Sequence, residues 1–166
     1  MRILRSIIAF LLFVILVAPT TTRAQDLTTV ILIRHAEKQD TENPPLSRAG
    51  KQRAKKLTDM LSQTEVTAIY STSYKRTKQT VRPLAKQKGL EIISYDPFDK
   101  SFVDSMLLRQ KNGTVVICGH SNTTPLMANL LLGQQRFEQF DESDYGNILI
   151  VTVAEKGDAK AVRLRY

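Results

Sequence analysis

The sequence predicts an α/β fold, a three-layer sandwich in which helices cover both faces of a mostly parallel central sheet. Short apolar runs alternate along the chain with segments whose apolar residues recur at helical spacing. The length of 166 residues fits one domain with its own core. The apolar runs, which we interpret as strands, are TTVILI (28–33), VTAIYS (66–71), LEIISY (90–95), TVVIC (114–118) and NILIVTV (147–153).

Four helices are predicted between these strands. The first follows Ser47 as its N-cap, and its apolar residues recur at Gly50, Ala54, Leu57 and Leu61. The second has Ser73 as its N-cap and Gly89 as its C-cap. The third covers about 101–110, and the fourth covers 123–132 and ends at Gly133. The turn sequence AEKGDA joins the strand at 147–153 to a last strand at about 160–165, which predicts an antiparallel edge hairpin.

The first 24 residues have the composition of a secretory signal peptide. A basic start with Arg2 and Arg5 precedes 12 apolar residues at 7–18, and small residues surround Ala24. A membrane anchor is the alternative, but 12 apolar residues fall short of the ~20 that span a bilayer. We therefore expect cleavage after Ala24, a periplasmic or secreted location, and a mature domain of residues 25–166 with no membrane span.

The basic composition does not indicate a nucleic-acid partner. Removal of Arg2, Arg5 and Arg23 with the signal lowers the formal net charge from +8 to +5. The basic cluster at 51–56 lies in a helical pattern, which predicts a solvated helix face, and it lacks the interleaved aromatic residues of a nucleic-acid surface. The single cysteine, Cys118, excludes an intramolecular disulfide and lies in an apolar run, where we expect it to pack.

Both histidines of the chain directly follow predicted strands. The first strand leads into Arg34 and His35, the fourth into Gly119 and His120, and the second leads through STSYKRT to Arg76. In open α/β sheets, ligands bind beyond the carboxyl ends of the strands. Two histidines at two strand ends therefore favour one shared site over two isolated structural histidines.

The arginines indicate that this site binds an anion. Arg76 lies in the predicted first turn of a helix, where the macrodipole disfavours a cation unless an anion lies beside it. The site has two arginines, two histidines and no obvious carboxylate pair. Such a set suits phosphate, because one guanidinium group can donate two parallel hydrogen bonds to two phosphate oxygens. Zinc is the competing ligand, but no residues show metal-ligand spacing and the arginines would repel the ion. We expect no metal and no cofactor.

Four segments of the chain resemble motifs of the histidine phosphatase superfamily, which has a phosphoglycerate mutase-like fold, in its first and smaller-capped branch. LIRHAEK resembles the Arg-His-Gly-Glu motif, and PPLSRAGKQRAKKL resembles the stretch that opens the first helix of the family. IYSTSYKRTKQT resembles the Ser-Ser-x-x-x-Arg-x-x-Gln-Thr segment, and VVICGHSNT resembles the Gly-His-Ser motif. The resemblance covers residues 30–132, with the four motifs in the family's order.

The resemblance implies a role for each residue at the strand ends. His35 would be the nucleophile that takes the phosphoryl group, Arg34, Arg76 and His120 would hold its three equatorial oxygens, and Ser121 would join them in binding substrate. Such a site needs no metal, because fixed cations supply the electrostatic stabilisation. A neutral His35 and a protonated His120 would serve best, so we expect their pKa values to diverge.

The sequence departs from the family pattern at three places. Ala36 replaces a glycine, which matters only if the backbone there needs a positive φ. Asn43 does not match the offset of a phosphate-binding asparagine, so we interpret it as a loop residue. The segment at 96–113 lacks the usual glutamate proton donor. We expect Asp96 to take that role, ahead of Asp99 and Asp104, although aspartate before proline is also an ordinary turn residue.

The expected function is therefore metal-independent hydrolysis of phosphomonoesters through a phosphohistidine on His35. The short chain leaves little material for a cap, so an open pocket would favour an envelope glycan or a protein side chain over a small phosphorylated molecule. A phosphoglycerate mutase-type phosphotransferase is an alternative, but it needs a lid that excludes water. A non-catalytic anion-binding module is the other alternative.

Overall fold

The computed structural model describes residues 26–166, and the predicted signal peptide lies outside the described residues. None of the helices within 26–166 is long and apolar enough to cross a bilayer. The elements of this part of the chain are β1 (Thr28–Arg34), α1 (Arg48–Met60), β2 (Ala68–Ser71), α2 (Lys75–Lys88), β3 (Ile92–Ser94), α3 (Phe102–Arg109), β4 (Thr114–Gly119), α4 (Thr123–Leu132), β5 (Asn147–Glu155) and β6 (Asp158–Arg165). All the strands and helices predicted from the sequence are present, with boundaries shifted by a few residues.

The strands form one sheet in the order β3-β2-β4-β1-β5-β6. The first four in this order are parallel, whereas β5 pairs antiparallel with β1, and β6 pairs antiparallel with β5. The mostly parallel sheet and the antiparallel edge hairpin are therefore confirmed. Because β5 is antiparallel, its start at Ile148 pairs with Ile33 near the end of β1. The loop before β5 thus reaches the same sheet edge as the carboxyl ends of β1 and β4.

Helices cover both faces of the sheet, which confirms the three-layer sandwich. Ile31 and Ile33 of β1 pack in one core with residues of α1 and α2 such as Leu57 and Leu84. The alternate residues of β1 pack in a second core with α3 and α4. Both faces of β1 are buried, which explains its continuous apolar sequence.

The helix ends largely follow the predicted caps. The Ser47 side chain accepts a hydrogen bond from the Gly50 backbone N–H at the start of α1. α2 and α4 end at Gly89 and Gly133, which have φ values of 66° and 65°. The predicted Ser73 cap of α2 is wrong.

The structural N-cap of α2 is Tyr74, whose side chain makes no capping bond. Asn43 does this instead, because its Oδ1 accepts from the Lys75 backbone N–H at 3.1 Å. Asn43 belongs to a loop, as predicted, and it adopts a φ of 44° there. A side chain 32 residues earlier in the chain therefore caps this helix.

Helix α1 lies directly on the segment that follows β1. A Cβ atom at Gly50 would be 2.1 Å from the Glu37 carbonyl oxygen, so only glycine allows this approach. The Ser47 backbone N–H donates to the same carbonyl at 2.9 Å. The Arg53 guanidinium also donates to the Glu37 carboxylate, with Nη2 2.6 Å from Oε1. Together these contacts fix the backbone just beyond His35.

Candidate active site

A cavity of about 710 Å³ opens at the carboxyl edge of the parallel strands. The ends of β1 and β4, the start of α2, the loop after β3 and the segment before β5 contribute to its walls. Five of the six residues predicted for the site line this cavity: His35, Arg76, Asp96, His120 and Ser121. Arg34, the sixth, is buried and contacts Glu142, which also lines the cavity.

His35 is held with one ring nitrogen free. Its side chain is buried, and its Nδ1 lies 2.8 Å from the Ala36 carbonyl oxygen. A carbonyl oxygen only accepts, so Nδ1 carries the proton and Nε2 keeps its lone pair. Burial, with smaller contributions from Arg76, His120 and Arg34, lowers the pKa of His35 to about 3. At neutral pH, His35 is therefore an uncharged imidazole whose Nε2 lone pair can act as a nucleophile.

Alanine fits the position after His35 where the family pattern has glycine. Among residues 26–166, the non-glycine residues with positive φ are Asn43 and Asn112, so Ala36 has an ordinary backbone conformation. Its N–H donates to Thr80 Oγ1 at 3.0 Å, and that hydroxyl donates to the Arg76 carbonyl at 2.8 Å. The substitution therefore does not require strain at this turn.

His120 contacts Arg76 through one ring nitrogen and Thr72 through the other. Arg76 Nη2 donates to His120 Nδ1 at 3.3 Å, so His120 Nε2 carries the proton and donates to Thr72 Oγ1 at 2.9 Å. Thr72 Oγ1 in turn donates to Thr77 Oγ1 at 3.0 Å. The rings of His35 and His120 lie edge to face, with centroids 5.4 Å apart. This directed chain of hydrogen bonds fixes the second imidazole beside the first.

The expected divergence of the two histidine pKa values is wrong for this structure. Burial, followed by Arg76 and Arg34, lowers the pKa of His120 to about 4, in the same direction as that of His35. Glu142 raises the pKa of His120, but its effect is smaller. The sequence does not show how deeply the imidazoles are buried or how close the arginines lie.

Arg76 lines the cavity and carries one hydrogen-bond donor without a partner in the described part of the chain. Its Nε is buried and has no partner among the residues that the structure describes. Burial lowers the pKa of Arg76, and the charge of Arg34 adds to this effect. An anion in the cavity would offset the repulsion between the two guanidinium groups. The repulsion between Arg76 and Arg34, like the position of Arg76 at the start of α2, therefore favours an anion at this point.

Arg34 is fully buried and is held by the loop before β5. Its Nη1 donates to the carbonyls of Asp141 (2.8 Å) and Asp144 (3.1 Å), and its Nη2 donates to the carbonyl of Glu142 (2.9 Å). The Tyr145 ring covers the guanidinium, with Cζ 4.2 Å from the ring centroid. The buried charge is thus compensated by backbone and aromatic groups of one loop.

Glu142 brings a carboxylate into the cavity that sequence analysis missed. Its Oε2 lies 2.7 Å from Arg34 Nη2, and its Oε1 accepts a hydrogen bond from the Ser121 hydroxyl. With Asp96, it gives the cavity wall two carboxylates. The acidic DESD sequence directly before an antiparallel strand was the available signal, because that strand must start at the carboxyl edge of the sheet.

The three aspartates considered as proton donors occupy different surroundings. Asp96 borders the cavity, and its Oδ1 accepts from the Phe98 backbone N–H at 2.9 Å, which is also the turn geometry expected before proline. Asp99 accepts from the backbone and side chain of Ser101. Asp104 forms an ion pair with Lys156 at 3.2 Å. Asp96 is therefore the one of the three that shares the cavity with His35.

No three His, Cys, Asp or Glu side chains within 26–166 are grouped so that they could hold a metal ion. Cys118, the thiol that the zinc alternative would use, is fully buried between the sheet and the α1–α2 layer. Burial raises its pKa, which disfavours the thiolate that a metal would bind. Cys118 thus packs in the core, as its position in an apolar run predicts.

Glu142→Gln should strengthen the binding of inorganic phosphate by about tenfold or more, because the carboxylate engages Arg34 and repels a second anion nearby. Isothermal titration calorimetry of the full chain at low salt would measure this. Glu138→Gln is the matched control, because Glu138 is exposed and does not line the cavity. Equal or weaker phosphate binding by Glu142→Gln would show that the carboxylate does not compete with the anion.

Comparisons with known proteins agree with this fold. Residues 30–99 match the family model described as histidine phosphatase superfamily (branch 1). Phosphoserine phosphatase 1 of Hydrogenobacter thermophilus is 40% identical over 75 residues, which represent 40% of this chain and 36% of that protein. The alignment thus spans about a third of the length of this curated relative.

Solved structures extend the likeness to most of the chain. The protein histidine phosphatase SixA, complexed with tungstate, has a TM-score of 0.68 at 15% identity and covers 82% of this chain and 96% of its own. A mycobacterial glucosyl-3-phosphoglycerate phosphatase has a TM-score of 0.63 at 10% identity and covers 84% and 98%. At such identities the structures show a common fold. The chain is thus similar to the histidine phosphatase superfamily in sequence over residues 30–99, and it shares the fold of these phosphatases over most of its length.

Proposed function

We propose that this protein is a metal-independent phosphatase that hydrolyses phosphomonoesters through a phosphohistidine intermediate on His35. The observation that carries the proposal is a neutral His35 with a free Nε2 in one cavity with Arg76 and His120. The relatives described above are named as phosphatases, which supports the same class of reaction.

The reaction proceeds in two displacements at phosphorus. His35 Nε2 attacks the phosphorus atom, the P–O ester bond breaks, and the leaving oxygen takes a proton to depart as the alcohol. Water then attacks the phosphohistidine, the P–N bond breaks and inorganic phosphate leaves. Arg76 and His120 contact the phosphoryl oxygens in both steps, and the buried Arg34, whose terminal nitrogens are held by residues 141–144, adds the electrostatic effect of its fixed charge.

His120 gains a proton when the phosphate binds. Its low pKa results from burial and from the charges of Arg76 and Arg34, which outweigh the opposite effect of Glu142. A phosphate dianion beside it favours the charged imidazolium and so raises its pKa. The divergence between His35 and His120 that sequence analysis expected would then belong to the complex with substrate.

Asp96 is the proposed proton donor for the leaving group. Its Oδ1 is held by Phe98, while its Oδ2 has no partner among the described residues. Both oxygens of Glu142 are engaged, by Arg34 and by Ser121, which makes Glu142 the poorer donor. Asp96 also belongs to the loop that directly follows β3, so it lies at the same sheet edge as His35.

The substrates are phosphates on bulky or exposed groups. Tyr74 and Phe98 are exposed side chains of the cavity wall, so the site is not covered by a cap at these points. An envelope glycan or a protein side chain fits such a site better than a small metabolite. A mutase would need a site from which water is excluded.

Residues 1–24, outside the described part, would direct the protein to the periplasm or the medium. Mass spectrometry that finds Met1 on the native protein would contradict this.

His35→Ala should abolish phosphatase turnover and the incorporation of acid-labile phosphate, because no other group at the site supplies the nucleophile. Phosphate release from a panel of phosphomonoesters, with and without EDTA, measures the turnover, and single-turnover labelling measures the incorporation of phosphate.

Arg76→Ala should lower the rate of phosphate release by about 10² or more. Arg82→Ala, at an exposed position of α2, is its control. An anion-binding module would bind phosphate without turnover, and turnover by His35→Ala would remove His35 from the mechanism.

Asp96→Asn should slow the hydrolysis of an alkyl phosphate far more than that of nitrophenyl phosphate. An alkoxide is too basic to leave without a proton, whereas nitrophenolate departs without help. Initial rates on both substrates test this, with Asp99→Asn as the control from the same loop. If both rates fall equally, or neither falls, the donor is not Asp96.

A further inference from the structure

We propose that the site selects phosphoesters whose leaving group is a planar aromatic ring, held between Tyr74 and Phe98. This inference rests on the proposed phosphatase function and, among the bulky groups considered there, favours aryl phosphates over glycan phosphates. Both side chains line the cavity that contains His35, and both are unusually exposed for aromatic residues, at 47% for Tyr74 and 67% for Phe98.

Tyr74 places an aromatic surface directly beside the phosphate-binding cations. Its ring centroid lies 4.4 Å from Arg76 Cζ. It also lies 5.1 Å from the centroid of the His120 ring, at an interplanar angle of 88°. A ring bonded directly to a phosphate on these cations therefore reaches Tyr74 without an intervening chain. A short alkyl group offers much less surface to this contact.

Phe98 presents a second aromatic surface on a loop whose backbone is fixed. Its N–H donates to Asp96 Oδ1 at 2.9 Å, and the Asp99 N–H donates to the Asp96 carbonyl at 3.3 Å. Pro97 precedes it and restricts the backbone further. These bonds hold the Phe98 backbone at the cavity, while its exposed ring has little contact with the core. An exposed aromatic ring gains apolar contact when a ligand ring covers it, and a loop with a fixed backbone loses little backbone entropy.

Two phosphonates test this inference without any chemical step, because their P–C bonds are not hydrolysed. Isothermal titration calorimetry of the full chain should show phenylphosphonate binding about tenfold more tightly than methylphosphonate. Phe98→Ala should reduce this ratio by about threefold or more, because the lost contact concerns the phenyl ring alone. Phe98→Tyr should restore the ratio. Leu108→Ala, at an 80% exposed position of α3 away from the cavity, is the matched control and should leave the ratio unchanged.

Equal affinities for the two phosphonates, or an unchanged ratio in Phe98→Ala, would overturn the ring preference and leave the phosphatase proposal standing. Failure of both phosphonates to bind would overturn both proposals. A ring preference that depends on Phe98, in a protein that forms no phosphohistidine, would support this inference and overturn the proposed catalysis.

Discussion

The burial of the Arg34 charge at the end of β1 is the constraint on which the site depends. A guanidinium with no exposed surface needs acceptors, and it finds them in three carbonyls and the carboxylate of residues 141–144. The same contacts fix the loop before β5 and bring Glu142 to the cavity. The Arg34 charge also contributes to the lowered pKa values of His35 and His120. The buried Arg34 charge thus holds the loop at the sheet edge and favours the neutral form of both imidazoles.

The histidines are kept neutral by the same features that prepare the cavity for an anion. Burial penalises the imidazolium form, and Arg76 adds repulsion, while its own Nε has no partner among the described residues. Burial of Arg76 and its repulsion by Arg34 lower the stability of the folded protein. A phosphate group would supply the missing counterion, and its binding would offset that cost. The proposed catalysis uses this positive charge for the phosphoryl oxygens and the neutral His35 for the attack.

Local rules predict the strand-end residues, and long-range contacts account for what they miss. The apolar runs and the topology of parallel strands are enough to bring His35, Arg76 and His120 to one edge. The capping of α2 by Asn43 depends on a loop that folds back over many residues. The acidic DESD sequence before β5 indicates the sheet edge at which Glu142 lies, but the exact position of its carboxylate depends on the conformation of the loop that Arg34 binds. The depth of burial that lowers both histidine pKa values likewise arises only from the packed structure.

The state of His35 itself is the most direct test of the account, and ¹⁵N NMR of labelled protein measures it. Signals can be assigned with a His120→Gln variant. The account predicts a neutral ring protonated on Nδ1 from about pH 8 down to about pH 5, because the pKa of His35 is about 3. Titration near the ordinary value of 6.5, or a proton on Nε2 at neutral pH, would contradict the proposed nucleophile.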